Sequence, residues 1–230
     1  GPARGYENFS TGGGSSLILM NSPYNAGGPI LRDGKTYMQI AHLSQSVNAF
    51  VALDRLLASK GFNVPHIHAE DLENGFLVIE NLGSDGILDK DGAPIFERYE
   101  AAVRLLAKLH QFIWPLDIPV GNGAMHRLHH FDRDAMMIEV ELLSDWYVPR
   151  MNGTVISPNL KSSYIAAWDN VFSQLINAEQ SLLLRDVHSP NILWQAHRSG
   201  IERVGLIDFQ DAMLGPSAYD VASLIMDARV

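Results

Sequence analysis

Arg185-Asp186-Val187-His188-Ser189-Pro190-Asn191, followed after a short apolar hairpin by Ile207-Asp208-Phe209-Gln210-Asp211, is the stretch on which the reading of this chain turns. Asp186 and Asn191 stand five positions apart between apolar runs, and Asp208 closes a second apolar run. Phosphoryl transfer needs a carboxylate to position the attacking hydroxyl, and oxygen ligands for Mg²⁺, which bridges the phosphates and neutralises developing charge. A loop with this spacing sets the Asp at the acceptor and the Asn at the metal, and an Asp at the end of a neighbouring strand completes the set. The competing reading is an ordinary loop in which Asp186 and Asn191 satisfy backbone donors. Neither motif is specific alone; their order and strand contexts together are.

Upstream, Arg4 to Phe9 and Ser15 to Met20 favour extended structure, with Gly12, Gly13 and Gly14 supplying a tight reversal between them. Val47, Phe50, Val51, Asp54 and Leu57 follow the helix period, with Ser46 as the expected cap and Gly61 as the stop. Phe76 to Ile79 reads as a buried strand. After Asn81-Leu82-Gly83 helix periodicity dominates, from Phe96 to Phe112, Asp132 to Trp146 and Ser163 to Ala178. Short apolar runs return at Leu182 to Leu184, Ile192 to Trp194 and Val204 to Ile207, before a last helical stretch from Tyr219 to Ala228. The expectation is an α+β chain of two lobes: a small β-rich N-lobe over residues 1–80 and a larger, mainly helical C-lobe over 81–230.

Acidic residues outnumber basic ones by 26 to 17, and no run of Lys or Arg forms a stripe able to follow phosphates, which argues against nucleic acid as a partner. The absence of cysteine removes disulfides and thiolate metal sites, and makes the cytoplasm the expected compartment. Charge interrupts every apolar stretch before the roughly 18 residues of a membrane span, and no secretory signal opens the sequence. Oligomeric state is not legible.

Asp186-Val187-His188-Ser189-Pro190-Asn191 and Ile207-Asp208-Phe209 resemble the Asp-x-His-x-x-Asn loop and Ile-Asp-Phe segment of the aminoglycoside phosphotransferase and choline kinase superfamily, whose fold is protein-kinase-like. Gln210 to Leu224 resembles most the branch containing bacterial cell-wall amino-sugar kinases, and Leu105 to His110 matches a helix of the superfamily that also reads as a plain core helix. The resemblance implies an ATP-dependent phosphotransferase acting on a hydroxyl of a small molecule, with Mg²⁺ as cofactor. It implies Asp186 as catalytic base, Asn191 and Asp208 as metal ligands, Asp220 as a carboxylate bracing the loop, and backbone groups of Glu80-Asn81-Leu82 as the adenine contact. Members of the superfamily begin earlier and run on past Val230, so part of the nucleotide cradle and acceptor pocket is expected outside these residues.

One departure is marked. Kinase-like folds carry a Lys on the third strand for the α- and β-phosphates, and Ser16-Leu17-Ile18-Leu19-Met20 has none; either Lys35 or Arg4 substitutes or the phosphates are held mainly by metal and backbone, and Gly12 to Gly14 read as a turn rather than a phosphate cover. This keeps open a second reading, a catalytically impaired kinase-like nucleotide-binding protein. Gly28 to Thr36 nearly spells a phosphate-binding loop, but its first Gly is one position out, and Asp33-Gly34 is better read as a surface turn. His66-Ile67-His68 and His126 to His130 raise a zinc hydrolase, without the helical His-Glu-x-x-His spacing. For the acceptor, Glu139, Glu141, Asp145 and Trp146 are read either as lining a pocket for an amino sugar or as the solvated acidic face of an amphipathic helix.

Overall fold

The computed structural model describes residues 4–10 and 16–230. Gly12 to Gly14, expected to form the first reversal, lie outside the described residues; the strands on either side, β1 (Gly5–Ser10) and β2 (Ser16–Asn21), pair antiparallel with Tyr6 opposite Met20 and Asn8 opposite Ile18. A hairpin of β3 (Ile30–Arg32) and β4 (Lys35–Thr36) follows, turning at Asp33 and Gly34 with φ of 50° and 73°. The near match to a phosphate-binding loop is therefore a tight surface turn. Helix α1 (Tyr37–Ile40) opens on a full capping box, in which Thr36 and Gln39 satisfy each other's backbone N–H.

Helix α2 (Val47–Ser59) is buried at Val47, Ala49, Phe50, Val51, Ala52, Leu53, Asp54 and Leu57, more than one face. The reason is its place between the sheet and a later hairpin. Ser46 occupies the cap position in extended conformation, yet its side chain makes no capping bond; Gly61, at φ 82°, ends the turn. β5 (Ile67–Asp71) and β6 (Phe76–Glu80) complete a four-stranded antiparallel sheet in the order β1-β2-β6-β5.

Beyond residue 80 come α3 (Phe96–Leu109), the hairpin β7 (Asp117–Gly121) and β8 (Ala124–Arg127), and α4 (Arg133–Leu142). The helix expected to run from Asp132 to Trp146 is present and continues beyond it: Asp132 caps α4, which passes through a π-helical turn, Leu143–Tyr147, into α5 (Val148–Asn152) without leaving helical backbone angles. Helix α6 (Pro158–Gln174) starts and stops earlier than its periodicity suggests, because Ser157 caps the N–H of Leu160 and Pro158 fits the first turn. β9 (Gln180–Leu183) pairs with β12 (Met213–Pro216), and β10 (Ile192–Trp194) with β11 (Val204–Leu206); α7 (Ala218–Ile225) closes the described chain. This is an α+β, two-lobed kinase-like fold.

One apolar core crosses the junction between the sheet and the helical part: Met20, Phe50 and Ile79 share a cluster with Leu184, Ile192, Leu206 and Phe209. Phe50 of α2 stacks on Phe209 with ring centroids 5.0 Å apart. Polar ties reinforce the junction, as Leu206 donates to the carbonyl of Asn63 at 2.9 Å and the Gln195 amide donates to the carbonyl of Leu82. Among the described residues, no helix is long and apolar enough to cross a membrane.

Candidate active site

The loop between β9 and β10 is held from behind by two buried carboxylates on and just after α7. Asp220, with no exposed surface, accepts from the backbone N–H of Leu184 at 2.7 Å and of Arg185 at 3.0 Å. These bonds fix the backbone where Arg185 takes φ 70°, a conformation that favours glycine and persists only when its surroundings impose it. The bracing carboxylate expected at this position is present. Asp227, which the sequence reading passed over, accepts from the N–H of Ser189 at 2.8 Å and its hydroxyl at 2.7 Å. Burial opposes ionisation of Asp227, but the bonds from Ser189 and Arg229 outweigh it and hold the carboxyl well below the usual carboxylate range.

Within the loop, Asn191 donates through Nδ2 to the carbonyl of Asp186 at 3.0 Å, which leaves its Oδ1 facing away from that carbonyl. The N–H of Ile207 donates to the carbonyl of Asn191 at 3.2 Å, so the residue before Asp208 is tied to the loop. Asp208 itself sits at φ 59°, and Gln210 donates to its Oδ1 at 2.8 Å. The Asp186 carboxylate is about half exposed, with His188 Nε2 at 4.0 Å. Burial raises its pKa, His188 opposes the rise, and the charge of Asp208 adds to it. Asp186 and Asp208 thus sense each other across the loop.

A cavity of about 340 Å³ lies between the sheet and the helical part. It is lined by Glu80, Asn81 and Leu82 at and after the end of β6, by Asn191 and Asp208, by Tyr6 and Ile18 of the sheet, by Phe50 of α2 and by Leu193 of β10. Gly205 keeps this region open in one respect: a Cβ there would meet Leu82 Cδ1 at 3.0 Å. Five of the six residues singled out in the sequence therefore share one cavity, and Asp186 is on the loop that borders it. At the junction itself, Asn81 donates to Asn8 at 3.1 Å and Ser16 at 3.0 Å and accepts from the N–H of Gly83 at 2.8 Å, so its side chain is committed to structure.

A divalent cation suits this donor set in kind: an amide oxygen and a carboxylate are hard ligands, and Mg²⁺ is commonly held by one or two carboxylates together with phosphate oxygens. Among the described residues, no three His, Cys, Asp or Glu side chains gather closely enough to hold a metal unaided. His66 and His68 pack edge to face at 4.7 Å on one side of the start of β5. His126, His129 and His42 line a separate cavity of about 390 Å³ that none of Asp186, Asn191 or Asp208 reaches.

The acids on α4 correct the solvated-face reading. Glu141 is 5% exposed and pairs with Arg32 at 2.5 Å; Glu139 pairs with Arg185 and accepts from the Tyr219 hydroxyl at 3.4 Å. Asp145 is bonded by Lys161 at 2.7 Å, and Trp146 stays 71% exposed. Partners from β3, the β9–β10 loop and α6 supply the neutralising charge, which helix periodicity cannot register.

Of the two candidate cations, Lys35 lies on β4 beside a groove it shares with Arg32, His42 and Asp132, whereas Arg4 reaches Asp208. Tyr6, Ile18, Phe50 and Leu193 were missed as lining residues. The signal for the first two was available in the alternation of β1 and β2, which sends every second side chain to the same face.

The phosphotransferase enzyme family matches residues 3–230. An N-acetylmuramate/N-acetylglucosamine kinase of Pseudomonas putida is 35% identical over 190 residues, 81% of this chain and 51% of that protein. One of the same name from Caulobacter vibrioides is 29% identical over 98% of this chain and 64% of its own length. The chain thus spans between 51% and 64% of the curated relatives it matches. Among solved structures, a choline kinase from Streptococcus pneumoniae superposes with a TM-score of 0.61 at 15% identity, covering 99% of this chain and 67% of the other. A type VIII aminoglycoside-3'-phosphotransferase gives 0.53 at 17% identity, covering 99% and 78%. With the family matched over residues 3–230, the chain belongs to the phosphotransferase enzyme family.

Proposed function

We propose that this chain carries the nucleotide and metal site of an ATP- and Mg²⁺-dependent small-molecule kinase, which transfers the γ-phosphate to a hydroxyl of an amino sugar. The observation that carries the reading is the single cavity lined both by Glu80-Asn81-Leu82 and by Asn191 and Asp208, beside a loop braced by Asp220 and Asp227. In this reading residues 1–80 roof the nucleotide and 81–230 supply the chemistry. Backbone groups of Glu80 to Leu82 meet the adenine, and Asn191 Oδ1 and the Asp208 carboxylate hold the metal. A bound Mg²⁺ neutralises charge on the phosphate oxygens as it develops. Asp186 orients the acceptor hydroxyl and takes its proton; burial makes its carboxylate a stronger base than one in open water.

An amino sugar is favoured as acceptor by the relatives named for N-acetylmuramate and N-acetylglucosamine; an aminoglycoside is the next candidate. Met20, apolar and fully buried, favours a second reading in which nucleotide binds without transfer. Against it stand Asp186, Asn191 and Asp208, since a pure binder has no use for all three.

The test is ADP release with Mg-ATP over a panel of amino sugars, aminoglycosides and amino alcohols. Asp186→Ala lowers turnover by about 10²- to 10⁴-fold with nucleotide affinity nearly unchanged, and Asp208→Asn weakens Mg²⁺-dependent nucleotide binding. Equal loss of turnover and affinity in Asp186→Ala removes its role as base. Nucleotide binding by the parent chain with no transfer to any acceptor establishes the second reading.

A further inference from the structure

We propose that Arg4, and not Lys35, is the phosphate-binding cation of this site, standing in for the lysine that β2 lacks; this rests on the nucleotide reading above. Tyr6 pairs with Met20 across β1 and β2, and Arg4, just before β1 and two residues from Met20's partner, follows the same alternation toward that face of the sheet. Diagonal cross-strand neighbours lie about 7–8 Å apart, within reach of a long side chain. That face is the one turned to the cavity, because Tyr6 and Ile18 line it.

Side-chain contacts agree with the register. Arg4 Nη1 lies 3.4 Å from Asp208 Oδ1, and Nε donates to Ser22 Oγ at 3.4 Å, opposite the end of β2. The guanidinium is only 24% exposed, while Asp208 is 41% exposed and faces the cavity. No Lys or Arg is among the residues lining that cavity, so Arg4 is the cation placed at its acidic end. Tyr6 stands between the two: its hydroxyl feels the positive charge of Arg4 and the negative charges of Asp208 and Asp211.

The chemistry follows from what the pair can exchange. At 3.4 Å the contact is long for a charge-assisted bond and is not bidentate, so it holds Arg4 in place without committing its fork. A divalent cation held by Asp208 would take up its charge, and the Arg4 guanidinium would then be free to offer its paired donors to phosphate oxygens. An arginine just before β1 then does from the neighbouring strand's edge what a lysine on β2 does elsewhere. Lys35 is placed instead on the β3–β4 hairpin, beside Arg32 and Asp132.

The test is equilibrium binding of ATP, ADP and adenosine, each with Mg²⁺, to the parent chain, Arg4→Met, Arg4→Lys and Lys35→Met, with the melting temperature of each free protein as a folding control. Arg4→Met is expected to lose about ten- to a hundredfold in affinity for ATP and ADP, to keep its affinity for adenosine, and to melt as the parent does. Arg4→Lys recovers most of the loss, and Lys35→Met changes nothing. The assignment is overturned if the parent prefers ATP to adenosine and Arg4→Met preserves that preference, or if the preference disappears in Lys35→Met. A parent chain that binds none of the three ligands overturns the nucleotide reading itself, an outcome distinct from both. If Arg4→Met melts early, a folded Arg4→Gln decides in its place: loss of the preference for triphosphate and diphosphate over adenosine supports the assignment, and a preference kept without a cation at position 4 overturns it. A folded Arg4→Met that loses affinity for all three ligands alike reduces Arg4 to shaping the cavity, and refutes it as a phosphate ligand.

Discussion

Replacing Asp220 removes the acceptor for two backbone donors at a site with no exposed surface. Leu184 and Arg185 N–H then have neither water nor protein to bond, and each buried donor left unpaired costs about 1–3 kcal/mol. Asp220→Ala is therefore expected to lose about 2–6 kcal/mol of stability in urea unfolding. Asp220→Asn has nearly the same shape but turns an NH₂ toward one of the donors, so it keeps one bond and loses roughly half as much. The pH dependence has a definite sign. Burial pushes the Asp220 carboxyl up to about 7, against 3.8 when free, despite the two N–H donors. Its contribution is complete below pH 3.8 and is lost as pH rises through about 7. The penalty of Asp220→Ala is accordingly larger at pH 5 than at pH 8. An alanine variant within about 0.5 kcal/mol of the parent at both pH values, the size of an ordinary surface change, would refute the claim that this carboxylate holds the loop.

Asp54 gives a second, separable pH effect: it is 4% exposed, its Oδ2 has no partner, and burial raises it to about 7. Its contribution likewise falls away between pH 3.8 and about 7. Asp54→Asn flattens that slope and raises the melting temperature at pH 8 by about 2–4 °C for each kcal/mol recovered; an unchanged slope in thermal scans from pH 4 to pH 8 counts against it. Gly75 sits at φ 78° with a Cβ position 2.4 Å from the Ser22 carbonyl oxygen, a backbone atom that cannot swing aside. Gly75→Ala should cost about 2–4 kcal/mol from strain and contact together, and a denaturation midpoint equal to the parent's would show that the β2–β6 junction yields instead.

The order of short elements around Asp186, Asn191 and Asp208 is legible in the chain because it is local. Apolar runs of three or four residues separated by a polar loop mark out the two strands of the β10–β11 hairpin within one short window. Local signals were also passed over. Asn122-Gly123, at φ 51° and 80°, is a strong hairpin turn, and it builds β7–β8 inside a part expected to be mainly helical.

What no window of sequence contains is the pairing of distant charges. Arg4 meets Asp208 across 204 positions, Arg32 meets Glu141 across 109, and Arg185 meets Glu139 across 46. Periodicity records which face of a helix is apolar, so Glu141 reads as solvated until β3 is laid against it. Residue type and spacing determined that three oxygen donors stand in the right order. Only closure of the sheet onto the helical part decided which of them share a cavity and which cation faces them, because the energy of such contacts depends on distances set by the whole fold.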